Sequence, residues 1–312
     1  MKKVLIVQYS QSGQLEAVAR SIAGPLRADD GVELQTLNLE PQTPWPFPWS
    51  FWQFLDAFPE CVYLDPPPNR PWQLSGDFDL VILCYTVWFL SPAPPITAFL
   101  QSEAGRELLR DTPVITVTAC RNMWMQAQEQ VRQLLESAGA RHADHVALTD
   151  PGPAMATFVT TPRWMLSGRR DAFLGLPPAG LTTEQIDGAA RFGRAIRAAL
   201  RDGRLDGRSS VLHGLGAAPV DPALLASETI GRRSFRIWGR LLRAVGRPGA
   251  ASRRPVLAVY VCFLLLLIVT VVPVSMALRA LLRPLLRERM EAAAARYAGP
   301  SGAGVERLEE FA

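Results

Sequence analysis

The first half of the chain alternates short apolar runs with longer stretches in which apolar residues recur every three or four positions. Short unbroken runs are typical of strands covered on both faces, and the wider spacing is typical of helices that pack by one side. The predicted strands are Val4 to Val7, Val32 to Leu39, Leu80 to Cys84, Val114 to Ala119 and a fifth that ends with His145 to Leu148. Helices are predicted at Leu15 to Leu26, Ile96 to Leu100 and Ala127 to Leu135. This alternation predicts βαβ units, and therefore an α/β fold with a doubly wound, five-stranded parallel sheet.

After residue 150 the hydrophobic pattern changes. Residues 150–182 are rich in Pro, Gly and Thr, and they are predicted to link the sheet to a last amphipathic helix at 183–202. Residues 203–229 contain several glycines and prolines and are predicted to form a second linker. The predicted sheet domain is therefore 1–202, with its core at 1–150.

The pattern of the C-terminal third is typical of a membrane-associated segment. Residues 230–254 place apolar side chains among arginines, which suits an amphipathic helix at an interface with anionic lipid. Residues 255–278 carry no charge, and a helix of this length is about 36 Å long, enough for a hydrocarbon core of roughly 30 Å. Arginines flank this run on both sides, so a single span and a helical hairpin both remain open, with a buried soluble helix as the alternative. Residues 279–312 are predicted to form a tail.

Charge separates the two halves of the chain. Residues 1–150 carry 10 basic and 17 acidic side chains (net −7), whereas residues 151–312 carry 23 and 12 (net +11). The long apolar run lies in the basic half, which favours membrane lipid over nucleic acid as its partner. The N-terminal apolar run ends at Gln8, too short for a secretory signal, so we expect the sheet domain on the cytoplasmic face of the inner membrane. Four separated cysteines and three histidines fit no metal-ligand spacing, and no metal is expected.

A small polar loop follows the first predicted strand. Hydroxyls, a glycine and the free N–H groups of a helix start can together bind a phosphate. The residues concerned are Ser10, Gln11, Ser12, Gly13 and Gln14. The loop has no lysine and no GxxxxGK[ST] motif, which argues against nucleoside triphosphate chemistry. A simple helix cap and turn is the alternative interpretation.

Two further loops follow predicted strands, and in a parallel sheet all three loops lie at the same edge. After the third strand, Tyr85, Thr86, Val87 and Trp88 could form a wall for a flat ring, or could belong to the core. After the fourth strand, Arg121 and Asn122 offer a cation and an amide, which are harder to explain as packing. We take Arg121, Asn122 and Tyr85 as candidate catalytic residues. A nucleophilic Cys120 is a weaker hypothesis than a buried thiol.

The three loops together resemble those of the flavodoxin-like FMN proteins. The resemblance covers residues 1–150, and the YSQSG sequence (9–13) matches the phosphate loop of that family, although Leu15 stands where a hydroxyl is usual. It implies FMN as cofactor. The phosphate would lie at Ser10 to Gln14 and the ring would lie against Thr86, Val87 and Trp88, with Arg121 and Asn122 at its polar edge.

A second resemblance runs nearly from end to end. It rests on PWPFPWSFWQF (44–54), FPEC (58–61), VWFLSP (87–92), ACRNMW (119–124), RWMLSG (163–168) and PSG (300–302). These segments resemble the bacterial flavodoxin-like family labelled dialkylresorcinol condensing enzyme. That resemblance implies a lipophilic ring substrate, with a ketosynthase and an acyl carrier protein as partners. The aromatic segment 44–54 would cover one sheet face, line an apolar pocket for the ring, or do both.

The sequence thus favours a membrane-attached, FMN-dependent oxidoreductase that converts a dialkyl cyclohexanedione to a dialkylresorcinol. Two other functions remain open. One is a membrane-tethered electron-transfer flavodoxin or quinone reductase. The other is a non-catalytic partner of a ketosynthase or acyl carrier.

Overall fold

The computed structural model describes residues 1–74, 76–205 and 209–312, with the backbone alone for 271–273, 275–287 and 289. The strands are β1 (Lys2–Gln8), β2 (Val32–Asn38), β3 (Leu80–Tyr85), β4 (Val87–Trp88), β5 (Ser91–Pro92), β6 (Pro113–Cys120) and β7 (Arg141–Thr149). The helices are α1 (Gln14–Arg27), α2 (Phe51–Asp56), α3 (Phe58–Tyr63), α4 (Pro94–Gln101), α5 (Glu103–Leu109), α6 (Met125–Ser137), α7 (Ala154–Ser167), α8 (Thr183–Gly188), α9 (Ala190–Arg201), α10 (Leu225–Val245) and α11 (Arg253–Ala298).

A five-stranded parallel sheet in the order β2-β1-β3-β6-β7 organises the first 202 residues. The central strand β3 is buried along its whole length, because helices cover both faces of the sheet. This strand order is the flavodoxin-like order of doubly wound sheets. The predicted fold class is therefore confirmed, and the five predicted strands lie where the apolar runs placed them.

Helices α1, α8 and α9 cover one face of the sheet, and α4 and α6 cover the other. On the first face, α9 crosses α1 so closely that a Cβ built on Gly193 would lie 2.1 Å from the carbonyl oxygen of Ile22. On the second face, Ile96 and Phe99 of α4 and Val131 of α6 pack against the strands. The single helix predicted at 183–202 is in fact two, α8 and α9.

Both predicted linkers have more structure than their composition suggests. Residues 150–182 contain α7, which begins directly after Pro153, a position where the missing proline N–H costs nothing. Residues 209–218 of the second linker pack along β7, where Leu212 and Leu215 are fully buried. The N–H of Ala147 donates to the carbonyl of Ala217 at 2.8 Å, which extends the sheet edge.

The C-terminal third forms two long helices and returns to the sheet domain. The α10 helix begins at Leu225, five residues before the predicted start, and it ends at Val245; its buried side packs on α3 and α11. The first 18 residues of α11, Arg253–Thr270, are long and apolar enough to cross a membrane, and only 17% of them are buried. After α11 the chain packs beside β7, where the N–H of Ala218 donates to the carbonyl of Gly302.

Candidate functional site

Three loops meet at the carboxyl ends of β1, β3 and β6. The first two are joined by aromatic contact, with the ring centroids of Tyr9 and Trp88 6.1 Å apart. The second and third are joined by packing, because Val87 and Cys120 lie against the cluster formed by Trp124 and its neighbours. The structure therefore brings the three predicted loops together at one edge of the sheet.

The first loop offers a set of backbone donors at the start of α1. Gly13 has φ +80°, a left-handed conformation that turns the chain into the helix, and a Cβ built on it would meet nothing within 4 Å. The hydroxyl of Ser10 accepts the N–H of Glu16 at 3.3 Å. In the described part of the chain, no protein acceptor takes the N–H groups of Ser12, Gly13, Gln14 or Leu15. Free donors at a helix N-terminus fit a phosphate monoester.

The side chains of Gln11 and Gln14 support this loop. Gln11 donates to the carbonyl of Pro46 at 2.9 Å and accepts the indole N–H of Trp49 at 2.8 Å. Gln14 accepts the N–H of Leu181 at 2.7 Å. The Gln11 side chain, which the sequence suggests as a phosphate contact, is therefore engaged at both ends of its amide, and the Gln14 side chain is engaged at its oxygen.

An aromatic wall stands beside the phosphate loop. Trp88 is 7% exposed, and the rings of Trp45 and Trp49 lie 5.5 Å and 5.1 Å from it, centroid to centroid. Edge-to-face contacts of this kind stabilise a fixed arrangement of rings. Residues 44–49 therefore lie over the carboxyl ends of β1 and β3, as one of the interpretations of the aromatic segment predicts.

The second loop carries an unpaired polar atom and a strained turn. The hydroxyl of Thr86 is buried and has no partner among the described residues, so it is available to a polar group on a ring bound beside Trp88. Phe89 and Leu90, between β4 and β5, have φ of 50° and 60°. Consecutive positive φ values are typical of a tight hairpin turn, but they are strained for side chains such as these.

The third loop places a half-buried cation at the end of β6. The guanidinium of Arg121 lies 4.2 Å above the ring of Phe158 in α7, and its Nε donates to the Asn122 side chain at 3.1 Å. Burial lowers the pKa of Arg121, and no carboxylate forms an ion pair with it in the described chain. A desolvated cation without a counter-ion is a favourable position for an anionic oxygen.

Tyr85, a catalytic candidate from the sequence, does not face these loops. Its side chain is fully buried, its hydroxyl donates to Gln128 at 2.7 Å, and burial raises its pKa well above the usual value. The sequence suggested a catalytic role because Tyr85 ends a strand, but a strand alternates its side chains between faces, and this one points into the core.

Two other reactive groups are also unsuited to catalysis. Burial raises the pKa of the Cys120 thiol to about 12, so it is not a thiolate at neutral pH. Burial also lowers the pKa of His145 well below its usual value, and its ring contacts the Thr116 hydroxyl at 2.9 Å. Neither group is therefore suited to proton transfer at neutral pH.

Two contributors to the site are missed by sequence reasoning. Phe158 packs its ring against the guanidinium of Arg121. It lies in α7, within the segment that the composition predicts to be a linker. Glu228 of α10 is fully buried and accepts the N–H groups of Met125 and Gln126 at 3.3 Å and 2.7 Å, which caps α6 just after the third loop. The one sequence feature that could have marked Glu228 as a candidate is that it is the last acidic residue before a long arginine-rich stretch.

A cleft of about 430 Å³ lies beside the phosphate loop. It is bounded by Ser10 and Glu16 on one side, by Asn38 at the end of β2 and Pro41 after it on another, and by Trp45. The phosphate loop and the aromatic wall therefore border the same open space.

The sequence matches no family model and no curated protein. Solved structures similar to this one include a Lactobacillus acidophilus flavoprotein in complex with FMN (17% identity, TM-score 0.37, 48% of this chain and 93% of that one). A flavodoxin from the domain Archaea is 11% identical, with a TM-score of 0.35, over 64% of this chain and 99% of its own. Oxidised flavodoxin 1 from Bacillus cereus is 14% identical, with a TM-score of 0.33, over 62% and 95%. At these values the fold assignment rests on the strand order itself.

Proposed function

We propose that the chain is a membrane-attached, FMN-dependent oxidoreductase that oxidises a lipophilic cyclohexanedione ring to a dialkylresorcinol. The observation that carries the proposal is the set of unpaired N–H groups from Ser12 to Leu15, beside the aromatic wall at the carboxyl edge of a sheet with flavodoxin-like order. These donors suit the phosphate of FMN, and Trp88 with the Thr86 hydroxyl suits its ring.

Bound FMN would supply a two-electron acceptor at this edge of the sheet. The aromatic residues 44–49 would exclude water and pack against the alkyl groups of the substrate. Arg121 and the amide of Asn122 would bind the ring oxygens.

The cation of Arg121 also has a role in proton chemistry. A cyclohexane-1,3-dione is acidic, and a nearby desolvated cation favours its enolate form. The substrate would therefore arrive already deprotonated, as its enolate. Loss of a hydride from the enolate would give a dienone isomer of the resorcinol, and a proton shift from ring carbon to oxygen would complete the aromatic ring. This explains how the site can act although Tyr85 and His145 are fully buried and the Cys120 thiol, with its pKa raised to about 12, stays protonated.

The test uses full-length protein purified in detergent and loaded with FMN. Anaerobic addition of a dialkyl cyclohexane-1,3-dione should bleach the visible flavin band and yield one dialkylresorcinol per flavin, measured by mass spectrometry. Flavin that is reduced by a nicotinamide nucleotide and reoxidised by a quinone, but is inert to the dione, would instead identify a quinone reductase. Protein without a flavin band after addition of FMN would contradict both and favour a docking role.

A further inference from the structure

The start of α11 is fastened to the sheet domain. The Arg253 side chain is 1% exposed and forms ion pairs with Asp56 at 3.3 Å and Glu60 at 2.9 Å, in α2 and α3. Its Nε also donates to the carbonyl of Gly246, at the end of α10, at 2.9 Å. The apolar run therefore begins at a fixed position on the domain surface.

The chain that follows α11 is bound to the same domain by hydrogen bonds. The Ser301 hydroxyl is fully buried; it donates to Asp144 at 2.7 Å and accepts the N–H of His145 at 2.7 Å. Backbone hydrogen bonds continue the contact, including those from the N–H of Gly216 to Gly304 and from the N–H of Arg307 to Gly214. The tail thus completes the edge of the sheet beside β7.

The two ends of α11 lie at opposite ends of α10. Near the start of α10, the Gln126 amide faces both Tyr297, at 3.4 Å, and Arg232. The end of α10 lies beside Arg253. The 21 residues of α10 span about 31 Å, whereas the 46 residues of α11 have a contour length of about 69 Å. The α11 segment therefore cannot run straight between its ends, and it must project from the domain and return.

The projecting segment is apolar in its first part and has arginines on both flanks. Val259, Leu265, Leu266 and Val269 are each more than half exposed. In sequence, Arg253 and Arg254 precede the run and four arginines follow it, at 279, 283, 287 and 289. Positive charge on both flanks favours keeping both flanks on the cytoplasmic side.

We infer that α11 is a re-entrant membrane anchor that enters and leaves the bilayer through the same face, so that the sheet domain and the C-terminal tail share one compartment. The inference rests on the membrane attachment in the proposed function. A single span would carry the tail to the far side and break its contacts with β7. The 24 uncharged residues between the flanking arginines would form two arms of about 12 residues, each roughly 18 Å long, which reach into a hydrocarbon core of about 30 Å without crossing it.

The test is cysteine labelling in the full-length chain, expressed in bacteria and prepared as inverted and as right-side-out membrane vesicles. In a background with Cys120→Ala and Cys262→Ala, single variants Glu107→Cys on α5 and Glu309→Cys in the tail report on domain and tail. A third variant keeps the native Cys262 within the apolar run. A membrane-impermeant maleimide is the probe. We expect the cysteines at 107 and 309 to react in inverted vesicles only, and Cys262 to stay unlabelled in both preparations until detergent is added.

Labelling of the positions 107 and 309 from opposite sides would establish a single span and overturn the inference. Labelling of Cys262 in intact vesicles of either kind would show that the run lies outside the bilayer, and would overturn it as well. Flavin content, measured on vesicles that carry the native chain, tests the proposed function separately. Vesicles that lack flavin but show the expected labelling would contradict the proposed function and leave the topology established.

Discussion

At the scale of single residues, Ser12 tests whether the loop before α1 binds a phosphate. Replacing Ser12 by Leu removes a hydroxyl and places an apolar side chain beside the unpaired N–H groups. Loss of one hydrogen bond to a charged phosphate costs about 1–3 kcal/mol, so FMN affinity should weaken roughly five-fold or more. Quenching of FMN fluorescence on titration with protein measures it.

The matched control is Ser137→Leu, at the exposed C-terminal end of α6. It makes the same chemical change far from the loop and should leave FMN affinity unchanged. Equal affinity of the Ser12→Leu variant and the native chain would place the cofactor elsewhere.

Glu228 predicts a pH dependence of stability. Burial raises its pKa from 4.5 to about 7 in the folded chain, so the folded state binds its proton more tightly than the unfolded state does. The resulting stabilisation is fully present below about pH 4.5 and is lost as the pH rises towards 7. The difference of about 2.5 pKa units corresponds to at most about 3 kcal/mol.

The measurement is urea unfolding in detergent, from pH 4.5 to 8, for the native chain and Glu228→Gln. Relative to the variant, the native chain should lose stability as the pH rises through this window. The comparison is needed because His142, whose pKa is lowered to about 4, and His145 stay neutral in the fold and contribute in the opposite direction. Parallel pH profiles of the two proteins would show that Glu228 does not titrate there.

At the scale of elements, two glycines in helices should respond in opposite ways to replacement by alanine. One lies at a close helix crossing, whereas the other has open space around it and should follow helix propensity alone. A Cβ on Gly193 would meet the Ile22 carbonyl at 2.1 Å, so Gly193→Ala must push α9 away from α1 and should lower the free energy of unfolding by about 1–3 kcal/mol or more. Gly24, in α1, has nothing within 4 Å of its Cβ position, and Gly24→Ala should raise stability by about 0.5–1 kcal/mol. Urea unfolding of both variants checks the opposite signs; a stable Gly193→Ala protein would contradict the close crossing.

The outer side of α10 predicts a preference for anionic lipid. Arg233, Arg236 and Arg240 line a groove of about 590 Å³ with Arg232, and no acid pairs with these four in the described chain. Each arginine near an anionic surface contributes about 1 kcal/mol, and the effect falls with added salt. Replacing the first three by Gln should therefore reduce the ratio of phosphatidylglycerol to phosphatidylcholine retained by the purified protein about ten-fold or more.

Native mass spectrometry at low salt measures that ratio. The matched control replaces three exposed arginines of the sheet domain, Arg27, Arg106 and Arg110, by Gln. The control should keep the ratio of the native chain. An equal loss in both triple variants would point to net charge and away from the groove.

The hydrophobic pattern is sufficient to predict the sheet and the three loops at its edge. It does not predict α7 or Glu228, which also contribute to the site. Strands such as Leu80–Tyr85 are unbroken apolar runs because both of their faces are buried, so the signal is local. The common location of the three loops follows from the predicted strands, because parallel strands have their carboxyl ends at the same edge of the sheet. Helix α7 was missed because Pro, Thr and Gly dominate its surroundings. The cap from Glu228 to α6 joins residues more than 100 positions apart, and no local pattern records such a contact.

At the scale of the whole molecule, the return of the tail predicts how the chain tolerates shortening. Replacing residues 265–292 with a Gly/Ser linker of the same length removes most of the apolar run and keeps both ends of α11. Such a linker spans about 29 Å on average. This variant should stay in the supernatant after ultracentrifugation without detergent and, on the proposed function, should have the FMN affinity of the native chain.

A chain that stops after Gly249 should behave differently, because it also loses the hydrogen bonds of Ser301 to Asp144 and His145. We expect the free energy of unfolding of its sheet domain to be about 2–4 kcal/mol lower than that of the linker variant, because buried polar groups at β7 lose their partners. Urea unfolding compares the two soluble proteins. Equal stability would mean that the tail contributes nothing to the sheet edge.

The bond between Ser301 and Asp144 also sets an order of events during synthesis. Its two partners are 157 residues apart, and the ribosome adds about 5–20 residues per second. Roughly 8–30 s therefore pass between the synthesis of Asp144 and that of Ser301. The whole apolar run is translated within that interval. The edge of the sheet therefore closes only after the whole apolar run has been made, so that the run is exposed on the nascent chain before the fold is complete.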